Sequence, residues 1–484
     1  MNYLHGVETV SIEAGARPVS TVKTAVIGLV GFALRGPVNE IVVIRSAAQG
    51  EQVFGKSVPN TQIARALIDI FAQTAGATVM VVNCADRGTL QEEQSYTLDA
   101  NGKVIFLTNT GNARAYPMRD QMTPEVRNAT GNTLFIEGVD YTLNDFGEFE
   151  SINFNTIAPG DDIMVTFRYY DPVDANWDES TIIGNVDEDG YRTGLKCFDL
   201  AFNQFGYNPK IIIAPEFSQS DAVATAMLSL AEKVKAICYF DFNAGYLPDY
   251  VIGQRGPTGQ AFWRTSNDRA ELMYPYVYTY DELTNTTDQI GTVLSPMIAG
   301  LRAKVDIEEG YWVSHSNHEL KGITKPLYTP TWAVNPTEST EANALNEAGI
   351  NTLALGFGTG VRYWGNRSAA FPTVTHPRNF IVARRVADVI HESLELAMLQ
   401  FIDKPLNDAI IDDILGTCNS FMRTLIQRGA LVDGTAFYDP LDNPPVELAA
   451  GHLTITLDFM MPLPMERLAF KSIIDINLLQ FQTA

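Results

Sequence analysis

The sequence predicts an α/β (α+β) core domain, split by an inserted all-β domain and flanked by extended β arms at both ends. Three observations carry that prediction. Apolar β runs alternate with amphipathic helical stretches near the start of the chain and again from Gly194 onward, the rhythm of an α/β layer structure. Between residues 87 and 194 that rhythm stops, and short β runs punctuated by turn residues replace it. Each end also alternates apolar and polar residues with no neighbouring strand to pair with: Val7, Glu8, Thr9, Val10, Ser11 and Ile12 at one end, Ile474, Ile476 and Leu478 at the other. An unpaired strand is a template for another chain's backbone, so such a chain reads as an assembly subunit rather than a free catalyst. The resulting domains are an N-terminal linking arm (1–20), a core split into 21–86 and 195–470, an inserted β-rich domain (87–194) and a C-terminal linking arm (471–484).

The elements follow in order. Ala25 to Val30 is a near-continuous apolar run, as in a strand buried on both faces. Gly36-Pro37 turns the chain and Glu40 to Ile44 returns as a strand. Ile63, Ala64, Leu67, Ile68 and Phe71 are spaced as one face of a helix, and Thr78 to Val82 is another buried strand. In the insert, β runs at Val104–Leu107, Thr133–Ile136, Tyr141–Leu143, Phe149–Phe154 and Ile163–Tyr170 alternate with Gly, Asn, Asp and Pro turns. The core resumes with a strand at Ile211–Ala214, a helix from Asp221 to Lys235 capped by Ser220 or Asp221, and a strand at Ala236–Phe240. Tyr274, Tyr276, Tyr278 and Tyr280 read as one aromatic face of a strand, with Pro275 placing its start at an edge. Two long helices come late. Asn379 to Asp403 carries Val382, Val386, Val389, Ile390, Leu394, Ala397 and Phe401, and Pro405 to Arg428 has Pro405 near its first turn and Gly429 after its last. Leu453, Ile455, Leu457 and Phe459 then alternate as a strand that Pro462 and Pro464 end.

Composition narrows the class. The chain of 484 residues is 46% hydrophobic, enough for a sizeable core, and carries a net charge of −23. So acidic a balance argues against non-specific binding to nucleic acid or to an anionic membrane surface. Cys84, Cys197, Cys238 and Cys418 are far apart, with no zinc or redox spacing, and suit a reducing cytoplasm. The start of the chain has no basic n-region or cleavage site, and the Ala25–Leu34 run is too short to span a bilayer, so a soluble chain without a signal peptide is expected.

Motifs for chemistry fail on inspection, and neither a catalytic role, a cofactor nor a metal is expected. His315 and His318 stand three apart, but Glu308, Glu309 and Glu319 complete no recognised ligand spacing. The acidic stretches at Asp187 and Asp241 place Phe198 and Ile252 where a calcium loop needs its bidentate carboxylate. Gly253 to Gly259 lacks the Gly-Lys-Ser/Thr ending of a phosphate loop, and Gly356, Gly358 and Gly360 are a fragment of a dinucleotide motif.

Several stretches do point to a family. They are His5-Gly6-Val7, Arg17-Pro18, Ala25 to Gly28, Pro296 to Gly300, Gly310 to Ser314, Leu345 to Asn351 and Gly360 to Arg367. On these the chain resembles the contractile tail sheath proteins of bacteriophages and related contractile injection particles, over roughly residues 1–85 and 195–484. The resemblance implies a structural subunit: six-fold rings stacked helically around a tail tube, with terminal arms crossing to neighbouring copies and completing their sheets. It implies contraction that drives the tube through a cell envelope. The implied partners are further copies of the chain, the tube protein, and baseplate and tail terminator proteins, in a virion assembled in the host cytoplasm. Another virion component, associated with baseplate or tube, is the alternative. Within this frame Ala14-Gly15-Ala16 is a candidate hinge for the arm, and Lys404, Arg423 and Arg428 are candidate tube contacts on an otherwise acidic chain. Trp364, Asn366 and Arg367 form either a structural turn, with Trp364 buried and Arg367 paired to a carboxylate, or an interface.

Overall fold

A computed structural model describes residues 17–85, 89–109, 111, 113–172, 178–260, 262–287, 291–335, 339–355, 358 and 360–476. The strand predicted over 7–12, the 14–16 hinge and Leu478 lie outside the described residues. Strand β1 (Val26–Gly31) is buried at every position. It is followed by β2 (Ile41–Ile44), helix α1 (Ala47–Phe54), helix α2 (Ile63–Gln73) and β3 (Thr78–Asn83). The Ser46 hydroxyl caps α1 at the Gln49 amide. β1 and β3 pair in parallel, and β2 lies antiparallel on the outer side of β3.

After β3 the chain leaves this sheet. Strands β4 (Thr89–Thr97), β5 (Lys103–Ile105), β6 (Tyr116–Pro117), β7 (Glu125–Asn128), β8 (Tyr141–Leu143), β9 (Glu148–Ser151) and β10 (Asp162–Tyr170) form two small antiparallel sheets. Their shared core is aromatic: Phe106 is fully buried, with the Tyr96, Phe149 and Phe167 rings around it. This region ends earlier than its sequence suggests. Helix α3 (Glu179–Ile183), capped by Asp178, places Ile182 in the core of the main sheet. A single helical turn is too short to display a 3.6-residue period, which is why residues 178–194 read as part of the insert.

A 3₁₀ turn (Gly194–Leu200) and helix α4 (Ala201–Phe205) lead into the remaining core. There β11 (Ile211–Ile213), helix α5 (Asp221–Val234), β12 (Ile237–Asp241), helix α6 (Pro248–Gln254) and β13 (Ala270–Met273) extend the parallel sheet. The predicted tyrosine strand is split. β13 stops before the cis Tyr274-Pro275 bond, and β14 (Val277–Thr279) belongs to a separate small sheet with β15 (Gly291–Thr292) and β16 (Ile323–Pro326). Proline cannot donate to a ladder, so the run breaks there. Helix α7 (Ser295–Glu308) packs on α2 at backbone distance, since a Cβ on Gly300 would lie 2.4 Å from the Ile70 carbonyl oxygen. Helix α8 (Glu341–Glu347), β17 (Ile350–Ala354) and β18 (Arg362–Trp364) complete an eight-stranded sheet of order β18-β17-β13-β12-β11-β1-β3-β2.

The C-terminal lobe follows. Helix α9 (Ile381–Met398) and helix α10 (Asp408–Gln427) pack against each other and against a two-stranded sheet of β19 (Asp433–Phe437) and β20 (Thr456–Met460), with helix α11 (Pro445–Ala449) in the connection. Val382, Val386, Val389, Ile390 and Leu394 form the predicted buried stripe of α9. Three boundaries differ from the prediction. α9 ends at Met398, and a 3₁₀ turn (Leu399–Phe401) replaces its predicted last turn. Residues 377–379 make a 3₁₀ turn before α9, and α10 starts after Pro405 because the Asn407 side chain caps the Ile410 amide.

Candidate functional site

The polar groups that could do chemistry are locked in packing. His315 and Glu271 are buried, with His315 Nε2 2.9 Å from Glu271 Oε1. The Tyr363 hydroxyl donates to the same oxygen at 2.5 Å and Asn351 Nδ2 at 3.2 Å. Burial holds the His315 pKa below its ordinary value, with Glu271 opposing and Arg302 and Arg385 reinforcing the shift. The cluster ties β13, β17 and β18 to the 313–316 loop, with all four side chains buried. His318 turns away to Glu309, 2.8 Å distant. Among the described residues no group of three His, Cys, Asp or Glu side chains converges as a metal ligand set. The four cysteines are buried free thiols. No described helix is long and apolar enough to cross a membrane.

The surfaces built to hold something are where the chain's ends leave the body. β18 ends at Trp364 and Gly365 turns the chain at φ 147°. A Cβ on Gly365 would meet Asn351 Oδ1 at 2.0 Å, so only glycine fits. This turn aims Arg367 into a clamp. Its guanidinium lies 3.6 Å from the Phe380 ring centroid and 4.8 Å from that of Phe371, and donates to Asn379 Oδ1 at 2.5 Å. It then grips Glu466 with two parallel hydrogen bonds, Nε to Oε1 at 2.9 Å and Nη2 to Oε2. Arg367 is thus paired to a carboxylate, as one sequence reading had it, and Asn366 accepts from the Ser314 hydroxyl. Trp364, expected to be buried, is half-buried. It borders a groove of about 930 Å³ that runs between the sheet edge and residues 462–468. Beyond the clamp, Phe470, Ile473, Ile474 and Ile476 are 89, 76, 97 and 76% exposed, and 461–475 form no regular element.

The other end is laid across α9. The Arg17 amide donates to Gln400 Oε1 at 2.8 Å, Gln400 Nε2 returns a bond to the Arg17 carbonyl at 3.2 Å, and the Val22 amide donates to the Ser393 hydroxyl at 3.2 Å. Lys23 sits 4.1 Å over the Tyr207 ring. The C-terminal lobe also carries the β19–β20 sheet, whose two edges are unlike. Asn419 of α10 accepts from the Ala436 amide at 2.9 Å and donates to its carbonyl at 2.8 Å, which occupies the outer edge of β19. β20 pairs with β19 and, among the described residues, with no second strand.

The candidate tube contacts do not gather at one place. Arg423 and Arg428 are exposed on the last turns of α10. Lys404 precedes the opposite end of that helix, about 25–30 Å away at 1.5 Å per residue, with its ammonium 4.9 Å from the Phe401 ring.

A model described as the phage tail sheath protein central domain matches residues 189–369, and one described as the phage tail sheath C-terminal domain matches 373–474. The tail sheath protein of Burkholderia phage BcepMu is 40% identical over 474 residues, covering 97% of this chain and 96% of the relative. The chain belongs to the phage tail sheath family. The tail sheath protein of Escherichia phage P2 is 30% identical over 294 residues, 60% of this chain and 70% of that one. The sheath fold is shared more widely. The contracted sheath of the extracellular contractile injection system PVC matches with TM-score 0.58 and 14% identity over 99% of both chains. The contracted helical sheath of the anti-feeding prophage matches with TM-score 0.58 and 16% identity over 98% of this chain and all of that one.

Within this sheath-family chain the clamp partner Glu466 and the N-terminal anchor Gln400 escaped sequence reasoning. Each lies far along the chain from what it holds, 99 residues for Glu466 and 383 for Gln400, and no local pattern announces such a pair.

Proposed function

We propose that this chain is the structural subunit of a contractile tail sheath. Copies assemble into six-fold rings stacked helically around a tail tube, joined by strand exchange of their terminal arms, and contract to drive the tube through a cell envelope. The observation that supports this reading is the pairing, among the described residues, of an exposed apolar C-terminal segment with a β20 edge that has no second strand. Strand addition at such an edge joins subunits through backbone hydrogen bonds that survive rotation of the bodies they link. Contraction is then a rigid-body switch between two packings of the same subunit, with no nucleotide or cofactor taking part. Residues 7–12 together with 474–478 are the exchanged strands, and Lys404, Arg423 and Arg428 the groups offered to an acidic tube. Further partners are the baseplate and tail terminator proteins that begin and end the stack. The particle is a virion tail, assembled in the host cytoplasm.

Negative-stain microscopy of the purified protein tests the reading. Hollow tubes are expected from the full chain, and a chain lacking residues 1–18 is expected to keep its circular dichroism spectrum and lose the tubes. Persistent monomers of the full chain at high concentration would overturn the sheath reading, and normal tubes from the truncated chain would overturn the arm linkage.

A further inference from the structure

On the face of the main sheet that packs against α7, a chain of buried polar contacts runs almost full circle. Glu271 Oε1 is met by the Tyr363 hydroxyl, Asn351 Nδ2 and His315 Nε2. On the other side of the imidazole, His315 Nδ1 lies 3.4 Å from Arg302 Nη1. Arg302 and Arg385 then share Asp306, one on each carboxylate oxygen. The two ends of this chain are Glu271 Oε2 and Arg385 Nε. Both are buried, and among the described residues neither has a hydrogen-bond partner. The Tyr239 hydroxyl is a third such group, on a side chain that is fully buried. Tyr239 is the register partner of Glu271 in the β12–β13 ladder, so the two side chains leave the sheet side by side on one face. Burial and then Glu271 push the Tyr239 pKa well above its ordinary value while Arg385 and Arg302 oppose, so both open ends act on this hydroxyl and it keeps its proton.

We infer that one ordered water molecule is bound here and closes the circuit between Glu271 Oε2, the Tyr239 hydroxyl and Arg385 Nε. Buried polar groups are nearly always hydrogen-bonded, and an internal water typically makes about three bonds. The groups present choose water over an ion. Two donors and one acceptor face the site, and water can accept from the first two and donate to the third. An anion would be repelled by Glu271, and a cation by Arg385 and Arg302. Charge is already balanced, Glu271 and Asp306 against Arg302 and Arg385, with His315 held neutral by its burial. The site also spans a joint. Tyr239 and Glu271 belong to the sheet of the body and Arg385 to α9 of the C-terminal lobe. The lobe is thus tied to the sheet through a water, beside the direct pair of Arg385 with Asp306.

A crystal structure or reconstruction of the full chain, at a resolution that shows ordered water, tests the site directly. A peak is expected within about 3.2 Å of all three atoms. Tyr239→Phe gives an independent sign. If the hydroxyl bonds to a water, its removal loses a hydrogen bond, and the melting temperature of the full chain should fall by roughly 1–3 °C. If the hydroxyl has no partner of any kind, its removal relieves a buried polar group, and the melting temperature should rise. Density that touches fewer than two of the three atoms would overturn the water site. So would a Tyr239→Phe chain that melts at or above the temperature of the parent. Both measurements stand whether or not the chain forms tubes.

Discussion

The α/β body is joined to its two flanking regions by seams of opposite chemistry. The β region of residues 89–170 meets the body through an apolar cluster of Leu34, Val58, Tyr116, Met118, Phe146 and Tyr170, with a few polar contacts beside it such as Arg35 to Asp145 at 3.5 Å. The C-terminal lobe meets the body through buried charge, with apolar contacts of Ile381 and Tyr311 beside it. One face of α9 packs its valines and Ile390 against α10, and the opposite face presents Arg385, Asp388 and Glu392, all buried, to the body. Arg385 and Arg302 share Asp306; Arg269 grips Asp388 at 2.6 and 2.9 Å; Lys210 meets Glu392 at 2.5 Å. Apolar contact is non-directional and tolerates small slips. Ion pairs removed from water are costly to break and add little net stability, so what they supply here is register. That lobe is the one that carries the β19–β20 sheet and against which residues 17–22 lie. The region on the apolar seam carries neither.

The comparison breaks most readily at Asp306. Its carboxylate and the Arg302 side chain are fully buried, and Arg385 is nearly so. Asp306→Asn keeps the volume and leaves two buried guanidiniums facing each other without their counter-charge. A loss of about 3–5 kcal/mol is expected in denaturant melts, the usual cost of orphaning a buried charge. Adding Arg385→Met should recover part of it. A loss under about 1 kcal/mol would mean that water reaches the seam, and the claim of register would go with it.

The two seams also differ in how far they could be read from the sequence. The apolar stripe of α9 was legible because a 3.6-residue period is local and its members lie within a few turns. Its charged face was not. Arg385 and Asp306 are 79 residues apart and Asp388 and Arg269 are 119 apart, and a charged residue on a helix carries no local mark of burial. The same reason hid Glu466 from Arg367, whereas the alternation of β20 was visible in Leu457 and Phe459. The end of the β region was misjudged because α3 is a single turn, and the tyrosine run because a proline outweighed its alternation.

Acidification gives a smaller effect that sharpens the contrast. Burial alone would raise the Asp388 pKa, but hydrogen bonds from Arg269 and Arg384 outweigh it and hold the carboxyl below its ordinary value. A group whose pKa is depressed on folding stabilises the fold above its unfolded value, near 4, and that contribution is lost as pH falls through the folded value. The charged seam should therefore loosen below about pH 4. Hydrogen exchange at α9 should rise there before exchange in the core around Phe106, and Asp388→Asn should already be weakened at neutral pH, with a shallower acid limb. Simultaneous loss of both regions would show that the seams do not act separately.

The smallest expected effect lies on the apolar seam. Tyr170 is buried, and its hydroxyl donates to the Pro59 carbonyl at 3.0 Å, a direct hydrogen bond between the β region and the body. If shape and apolar burial hold this seam, the ring matters and the hydroxyl hardly does. Tyr170→Phe removes the hydroxyl that donates to Pro59 and keeps the ring. The expected cost is about 0.5–1.5 kcal/mol, the net worth of one neutral hydrogen bond, with exchange in the strands around Phe106 unchanged. Tyr170→Ala removes the ring as well, and should cost about 3–5 kcal/mol by opening a cavity between Tyr116 and Val58. A Phe variant as damaging as the Ala variant would show that this seam, like that of α9, is set by directed polar contact, and the two regions would no longer differ in kind.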